Sequence, residues 1–213
     1  MSEQVELTDP VDHSVGGLSG HLFRRGFHIG MSVLPFVYYK LGDDIADFVS
    51  LEKMQVVSML TLALIRVEAG RLKLGITIFG QRDYESKQVS ALAWGAFAIG
   101  MTFMIIPDKP ELVYPLILSL SLGDPFLGEV RRKGYDARSV FVIGSIFILA
   151  IWLSCAYFID TKVWICLIMA PICVAAEWPR LRWIDDNATM LLIPLSVVTV
   201  SYTHLTLPTK DSV

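Results

Sequence analysis

Five short clusters in this 213-residue chain carry residue types that do chemistry together. Asp124 follows Gly123 and lies seven residues before the triplet Arg131-Arg132-Lys133. Arg24-Arg25-Gly26-Phe27-His28 stands near the start, Glu68 pairs with Arg71, Arg82 with Glu85, and Glu177 is followed by Asp185-Asp186-Asn187. Magnesium is typically held by one or two carboxylates together with substrate phosphates, and phosphates favour charge-assisted bonds from Arg or Lys. Phosphoryl transfer needs little more, because positioning and charge neutralisation supply most of the catalysis. There is no GxxxxGK[ST] loop, so side chains and helix ends would have to hold a nucleotide. No Cys or His spacing suits zinc.

The elements that must position these groups are apolar. Hydrophobic residues make up 54% of the chain, charged ones 18%, and mean hydropathy is +0.54, which predicts an all-α polytopic membrane bundle. Seven spans are expected, at 22–41, 54–67, 89–106, 112–130, 140–159, 163–176 and 188–202. The run Leu112–Leu122 covers roughly 16 Å, about half of a bilayer's hydrocarbon core, so its helix crosses only by continuing through Asp124 to about Val130. A carboxylate at that depth costs about 2.5–3.5 kcal/mol and marks a functional candidate. The spans at 54–67 and 163–176 are also short, which draws Glu68 and Glu177 towards the same depth. Residues 1–21 read as a polar arm, neither signal nor transit peptide, and 22–202 as the helical catalytic domain. Cys155, Cys166 and Cys173 lie in apolar runs and read as small hydrophobes.

Thirteen Lys and Arg fall on one side of these spans: Arg24, Arg25, Arg66, Arg71, Lys73, Arg82, Lys87, Arg131, Arg132, Lys133, Arg138, Arg180 and Arg182. Only five fall on the other: Lys40, Lys53, Lys109, Lys162 and Lys210. The positive-inside rule makes the richer side and the N-terminus cytoplasmic. All five clusters lie on that side, around a polar cavity facing the cytoplasm. The small net charge of −3 gives no argument for nucleic acid. Each cluster has an ordinary alternative: Arg24, Arg25 and Arg131–Lys133 as membrane anchors, Glu68 and Arg71 as a surface helical pair, His28 as a packed residue, and Asn187 as a helix cap with Asp185 and Asp186 favoured by the dipole. Those alternatives must recur at five places on one face, which favours a site. Leu72–Phe79 alternates like a short strand, but its basic flanks suit an interfacial segment.

These residues resemble the family of CTP-dependent lipid-alcohol kinases that includes dolichol and phytol kinases and is related to phosphatidate cytidylyltransferases. Arg24 to His28 resembles its Arg-Lys-x-x-His, and Glu68 to Arg71 with Arg82 to Glu85 its acidic and basic stretch after the second helix. Gly123-Asp124 resembles its Gly-Asp-x-x-Ala, and Glu177 with Asp186-Asn187-Ala-Thr-Met-Leu-Leu-Ile-Pro194 its closing motif; together they cover about residues 22–195. Ser32 stands where the family has Gly, and Leu127 where it has Ala. The longer signature of the cytidylyltransferases is absent.

The resemblance implies transfer of the γ-phosphoryl group of CTP, with Mg2+, to a long isoprenoid alcohol such as dolichol or a polyprenol. Asp124 would hold the metal with Glu177 or Asp186. Arg24, Arg25, Arg71, Arg82, Arg131, Arg132, Lys133 and Asn187 would contact the nucleotide, and His28, Glu68 or Glu85 would orient or deprotonate the alcohol, whose tail lies among membrane lipids. A cytidylyltransferase, an anion transporter and a structural membrane protein are the alternatives. The nearly apolar spans 89–106 and 140–159 argue against the transporter. Ser201 to Lys210 resembles translated sequencing-adapter DNA, so 201–213 is expected to be a non-native tail and span seven to be cut short.

Overall fold

The computed structural model describes residues 13–179, 181 and 183–206, with side chains up to 201. They form eight α-helices: α1 (Gly17–Gly30), α2 (Leu34–Phe48), α3 (Lys53–Leu74), α4 (Ala91–Ile105), α5 (Pro110–Arg132), α6 (Ala137–Ile159), α7 (Val163–Ala175) and α8 (Asp186–Thr206). A 3-10 turn, Met31–Val33, joins α1 to α2 without a break, so the eight helices make seven rods, one for each expected span. The helix begins at Gly17 rather than 22, leaving the expected arm shorter. Residues 1–12, Arg180, Arg182 and 207–213, with the tail expected there, lie outside the described residues.

α5 is the central rod. Leu112, Leu116, Ile117, Leu120 and Leu127 are fully buried against α1, α2, α4, α6, α7 and α8. Two prolines interrupt its hydrogen-bond ladder. Pro115 has no amide for the Glu111 carbonyl, and the hydroxyl of Thr161 donates to that oxygen at 2.6 Å instead. Pro125 likewise leaves the Ser121 carbonyl without its usual donor, beside Asp124. Gly123 allows α6 and α8 to close on this turn: a Cβ there would lie 2.6 Å from Ile148 Cδ1 and 2.8 Å from Met190 Cε. Trp152 of α6 is fully buried and donates to Ser119 Oγ at 2.9 Å.

Among the described residues there is no β-strand, only one isolated bridge between Ser14 and Arg82. The expected choice at 72–79 resolves as neither alternative in full: α3 runs on to Leu74, Gly75 ends it in the left-handed region at φ 63°, and an irregular segment follows. The helical pitch continues because the basic residues Arg71 and Lys73 in its last turn suit a helix C-terminus. The three cysteines are buried and free.

Among the described residues α6 is the one helix long and apolar enough to cross a bilayer by length and composition; the α1–α2 rod with α3 passes the same test as a pair bent by 90°. Only 28% of the apolar window of α6 is buried within the protein. Large apolar side chains face outward on many helices, among them Phe48, Leu60, Leu62, Val67, Ile146, Tyr157, Phe158 and Leu167.

Candidate metal and phosphate site

α1, α5, the segment after α7 and the start of α8 converge on three carboxylates. Ligand oxygens of Asp124, Glu177 and Asp186 all lie within 4.8 Å of one another, from positions 53 and 62 residues apart along the chain. Glu177 is buried, Asp124 half-buried and Asp186 exposed, so the cluster opens on the Asp186 side. The start of α8 suits acids, since a helix N-terminus carries partial positive charge. Asp185 is its cap: its Oδ1 accepts from the Asn187 amide at 3.1 Å and from Asn187 Nδ2 at 2.7 Å. The expected capping role of Asn187 therefore belongs to its neighbour. Asn187 instead reaches across to the Ala91 carbonyl at 3.4 Å, tying α8 to α4.

The cluster is only partly compensated. Glu177 has one cation at hand, Arg131, whose Nη2 pairs with its Oε1. Burial pushes the Glu177 carboxyl up to about 8; Asp124 and Asp186 add to the rise, and the half-exposed Arg131 only partly opposes it. Asp185 is also held well above the usual carboxylate range, first by burial and then by Asp186. Two acids that resist ionisation beside a third form a place that favours an added positive charge. His28 completes the rim. It is 2% exposed, its Nδ1 lies 3.5 Å from Asp124 Oδ2, and neither ring nitrogen has a hydrogen-bond partner.

Other sequence candidates lie in a second cluster that binds the irregular segment to α1 and α3. Arg71 spends all five N–H donors: two on Glu68, at 2.9 and 2.7 Å, and one each on the carbonyls of Ile76, Glu85 and Gln88. Glu68 also accepts from the Ser90 amide at 2.6 Å. Glu85 is fully buried and takes Arg24 Nη1 at 2.9 Å, the Arg82 amide at 3.2 Å and the Ala91 amide at 3.3 Å. Arg71 thus has no donor left for a phosphate, and both acids are occupied by protein donors.

The remaining cations divide. Arg25 pairs with Glu129, whose other oxygen accepts from Arg132 Nε at 3.1 Å. Arg82 Nη1 donates to the Tyr84 hydroxyl at 2.7 Å. Lys133 is exposed at the C-terminus of α5. Glu129 was not a sequence candidate, although its spacing three residues before Arg132 was an available signal; Asp185 stood in the expected acidic cluster but without a role of its own.

The donor set fits a hard divalent cation, because all three ligands are carboxylate oxygens and the buried one, Glu177, has only the half-exposed Arg131 as partner. Two cavities lie elsewhere. One of about 370 Å3 is bordered by Glu111, Asp160 and Lys162, the other, about 40 Å3, by Trp164, Met169 and Val197. The chain matches no protein-family profile, no curated protein and no solved structure.

Proposed function

We propose that the chain is an integral-membrane kinase that transfers the γ-phosphoryl group of CTP to a long-chain isoprenoid alcohol. The observation that carries this reading is the convergence of Asp124, Glu177 and Asp186 beside Arg131 and His28. Contact with a membrane is supported by the outward-facing apolar side chains, while seven crossings and a cytoplasmic N-terminus rest on the run lengths and the division of Lys and Arg in the sequence. A helix as apolar as α6 that buries so little within its own chain suits a lipid surround.

In this reading Asp124, Glu177 and Asp186 hold Mg2+, which when bound neutralises the phosphate charge that develops during transfer. Arg131 is 44% exposed and paired with Glu177, so it can turn from that carboxylate to a phosphate oxygen. His28 is the candidate to accept the alcohol proton, because Glu68 and Glu85 are occupied and its ring nitrogens are not. The alcohol oxygen bonds to the γ-phosphorus, the bond to the β-phosphate oxygen breaks, the proton passes to a His28 nitrogen, and CDP leaves. Positioning and fixed charges account for most of the rate.

The test uses purified protein, Mg2+, γ-labelled CTP and mixed polyprenols. Label in a lipid monophosphate with release of CDP is expected, and CTP should exceed ATP, a preference resting on family resemblance alone. α-Label in a CDP-lipid with pyrophosphate release would replace the kinase with a cytidylyltransferase, and no nucleotide-dependent product across several alcohols would remove both.

A further inference from the structure

A third polar cluster, not used in the transfer reaction proposed above, lies along α1, which both the segment 80–83 and the end of α5 approach. His21 is 9% exposed, and its Nε2 has no hydrogen-bond partner among the described residues. The charges acting on its ring come from all three elements: Arg25 on α1, Arg82 in the segment, and Glu129 and Arg132 on α5. Arg25, Arg82 and Arg132 are the cations among them and Glu129 the anion. Glu129 divides its two oxygens between Arg25 and Arg132, and Arg82 Nη1 donates to the Tyr84 hydroxyl, which leaves the buried His21 Nε2 without a partner among the described residues.

The segment that brings Arg82 here is fixed in place. Val15 donates to the Gln81 carbonyl at 2.8 Å, Gly80 to the Val15 carbonyl at 3.0 Å and Asp83 to the His13 carbonyl at 3.2 Å. Gly20 permits this closure, since a Cβ on it would fall 2.1 Å from the Val15 carbonyl oxygen, a backbone atom that cannot swing aside. A half-buried arginine held this firmly, beside the Arg25–Glu129–Arg132 network and a buried imidazole nitrogen left over, has the makings of an oxyanion site. Membrane anchoring requires only exposed cations. It accounts for Arg132, which is 54% exposed, but not for the buried His21.

We propose that His21, Arg25, Arg82 and Arg132 form a phosphate-binding site distinct from the carboxylate cluster, taking either a free phosphate or the phosphate headgroup of a lipid. Glu129 and Arg132 follow Asp124 by five and eight residues on the same helix, about 7.5 and 12 Å along its axis, so the two sites are neighbours without sharing a residue. Glu129 is the counter-charge that holds the arginines in place when no phosphate is bound, and it sets a modest affinity because the incoming anion must bind beside it.

The experiment measures thermal stability of the full chain in detergent, with EDTA and no nucleotide, which separates it from the transfer reaction proposed above. Inorganic pyrophosphate is one arm and mixed micelles containing phosphatidic acid the other, with phosphatidylcholine micelles as the reference. Either phosphate source should raise the melting temperature in a concentration-dependent way. Protection by pyrophosphate identifies a free phosphate, and protection by phosphatidic acid alone identifies a lipid headgroup. Arg82→Gln and Arg132→Gln, both at exposed or half-exposed positions, should each weaken the apparent affinity about tenfold, and His21→Gln should weaken it as well. Arg82→Lys should recover part of the loss, and Asp124→Asn should leave the response unchanged. No protection by either source, equal protection of the Arg82→Gln protein, or loss of protection in Asp124→Asn would overturn the assignment. Because the arginine variants alter no buried side chain, a failure of His21→Gln to fold would leave the decision with them.

Discussion

Asp124 and Glu177 differ in surroundings although both contribute to one cluster, and the difference sets what each substitution should do. Asp124 is half-buried, so Asp124→Asn keeps its shape and changes only its charge. Phosphoryl transfer should fall by orders of magnitude while the melting temperature without metal stays the same or rises, since one of three mutually repelling acids is neutralised. Normal turnover by the variant would remove Asp124 from the site. Glu177 is the titrating member. Its carboxyl moves from 4.5 to about 8 on folding, so the folded state holds its proton more tightly than the unfolded chain. That contribution to stability is fully present below about pH 4.5 and is lost as pH rises towards 8. In EDTA the melting temperature should therefore fall across this window, and Mg2+ should oppose the fall most strongly at its upper end. A profile with Mg2+ that runs parallel to the EDTA profile would show that no cation is bound there. His28→Gln should lower kcat with little change in the KM for CTP; a change in KM alone would assign the ring to binding rather than proton transfer.

At the scale of elements, the candidates divide by how many donors each has left. Arg71 and Glu68 are three residues apart on α3, the spacing of a weak surface pair, yet both are buried and together they organise 76–90. Arg71→Gln leaves Glu68 without its partner and three carbonyls without donors, which should cost about 3–5 kcal/mol. Amide exchange should rise across 76–90 and in the first turns of α1, which that segment covers. A fall in CTP affinity with unchanged exchange would return Arg71 to the nucleotide. The sequence could show that Glu68 and Arg71 adjoin each other, because helical spacing is local. It could not show that Ile76, Glu85 and Gln88 turn their carbonyls onto the guanidinium, because that depends on the path of an irregular segment. The same contrast applies to Asn187 and Asp185: the acidic start of α8 was legible, but the helix begins at Asp186, which puts Asp185 in the capping position and Asn187 inside the first turn.

For the whole molecule, apolar run length located all seven rods, since runs separated by charged connections leave few other ways to bury backbone. Tilt was not legible: the rod 17–48 turns by 90° into α3, so both cannot stand along a membrane normal, and no hydropathy pattern encodes that angle. The convergence of Asp124, Glu177 and Asp186 was legible only as far as the same ends of the expected spans, because packing around Gly123 sets the final distances. Whether those ends share one membrane face is open to direct measurement. Tyr135 follows α5 and Lys162 follows α6, both exposed, whereas the three native cysteines are buried and should not react with a polar reagent. α6 joins them and rises about 33 Å over its length, enough to cross a hydrocarbon core. A cysteine placed at Tyr135 should be labelled by an impermeant maleimide only in inverted vesicles, and one at Lys162 only in intact cells. Asp108, in the connection before α5, should behave like Lys162, because a single crossing by α5 separates it from Tyr135. Labelling of positions 135 and 162 from the same side would mean that α6 does not cross. The thirteen-to-five division of Lys and Arg would then no longer place Asp124, Glu177 and the arginines on the cytoplasmic face, and the nucleotide, which is supplied from the cytoplasm, would have no route to the acids.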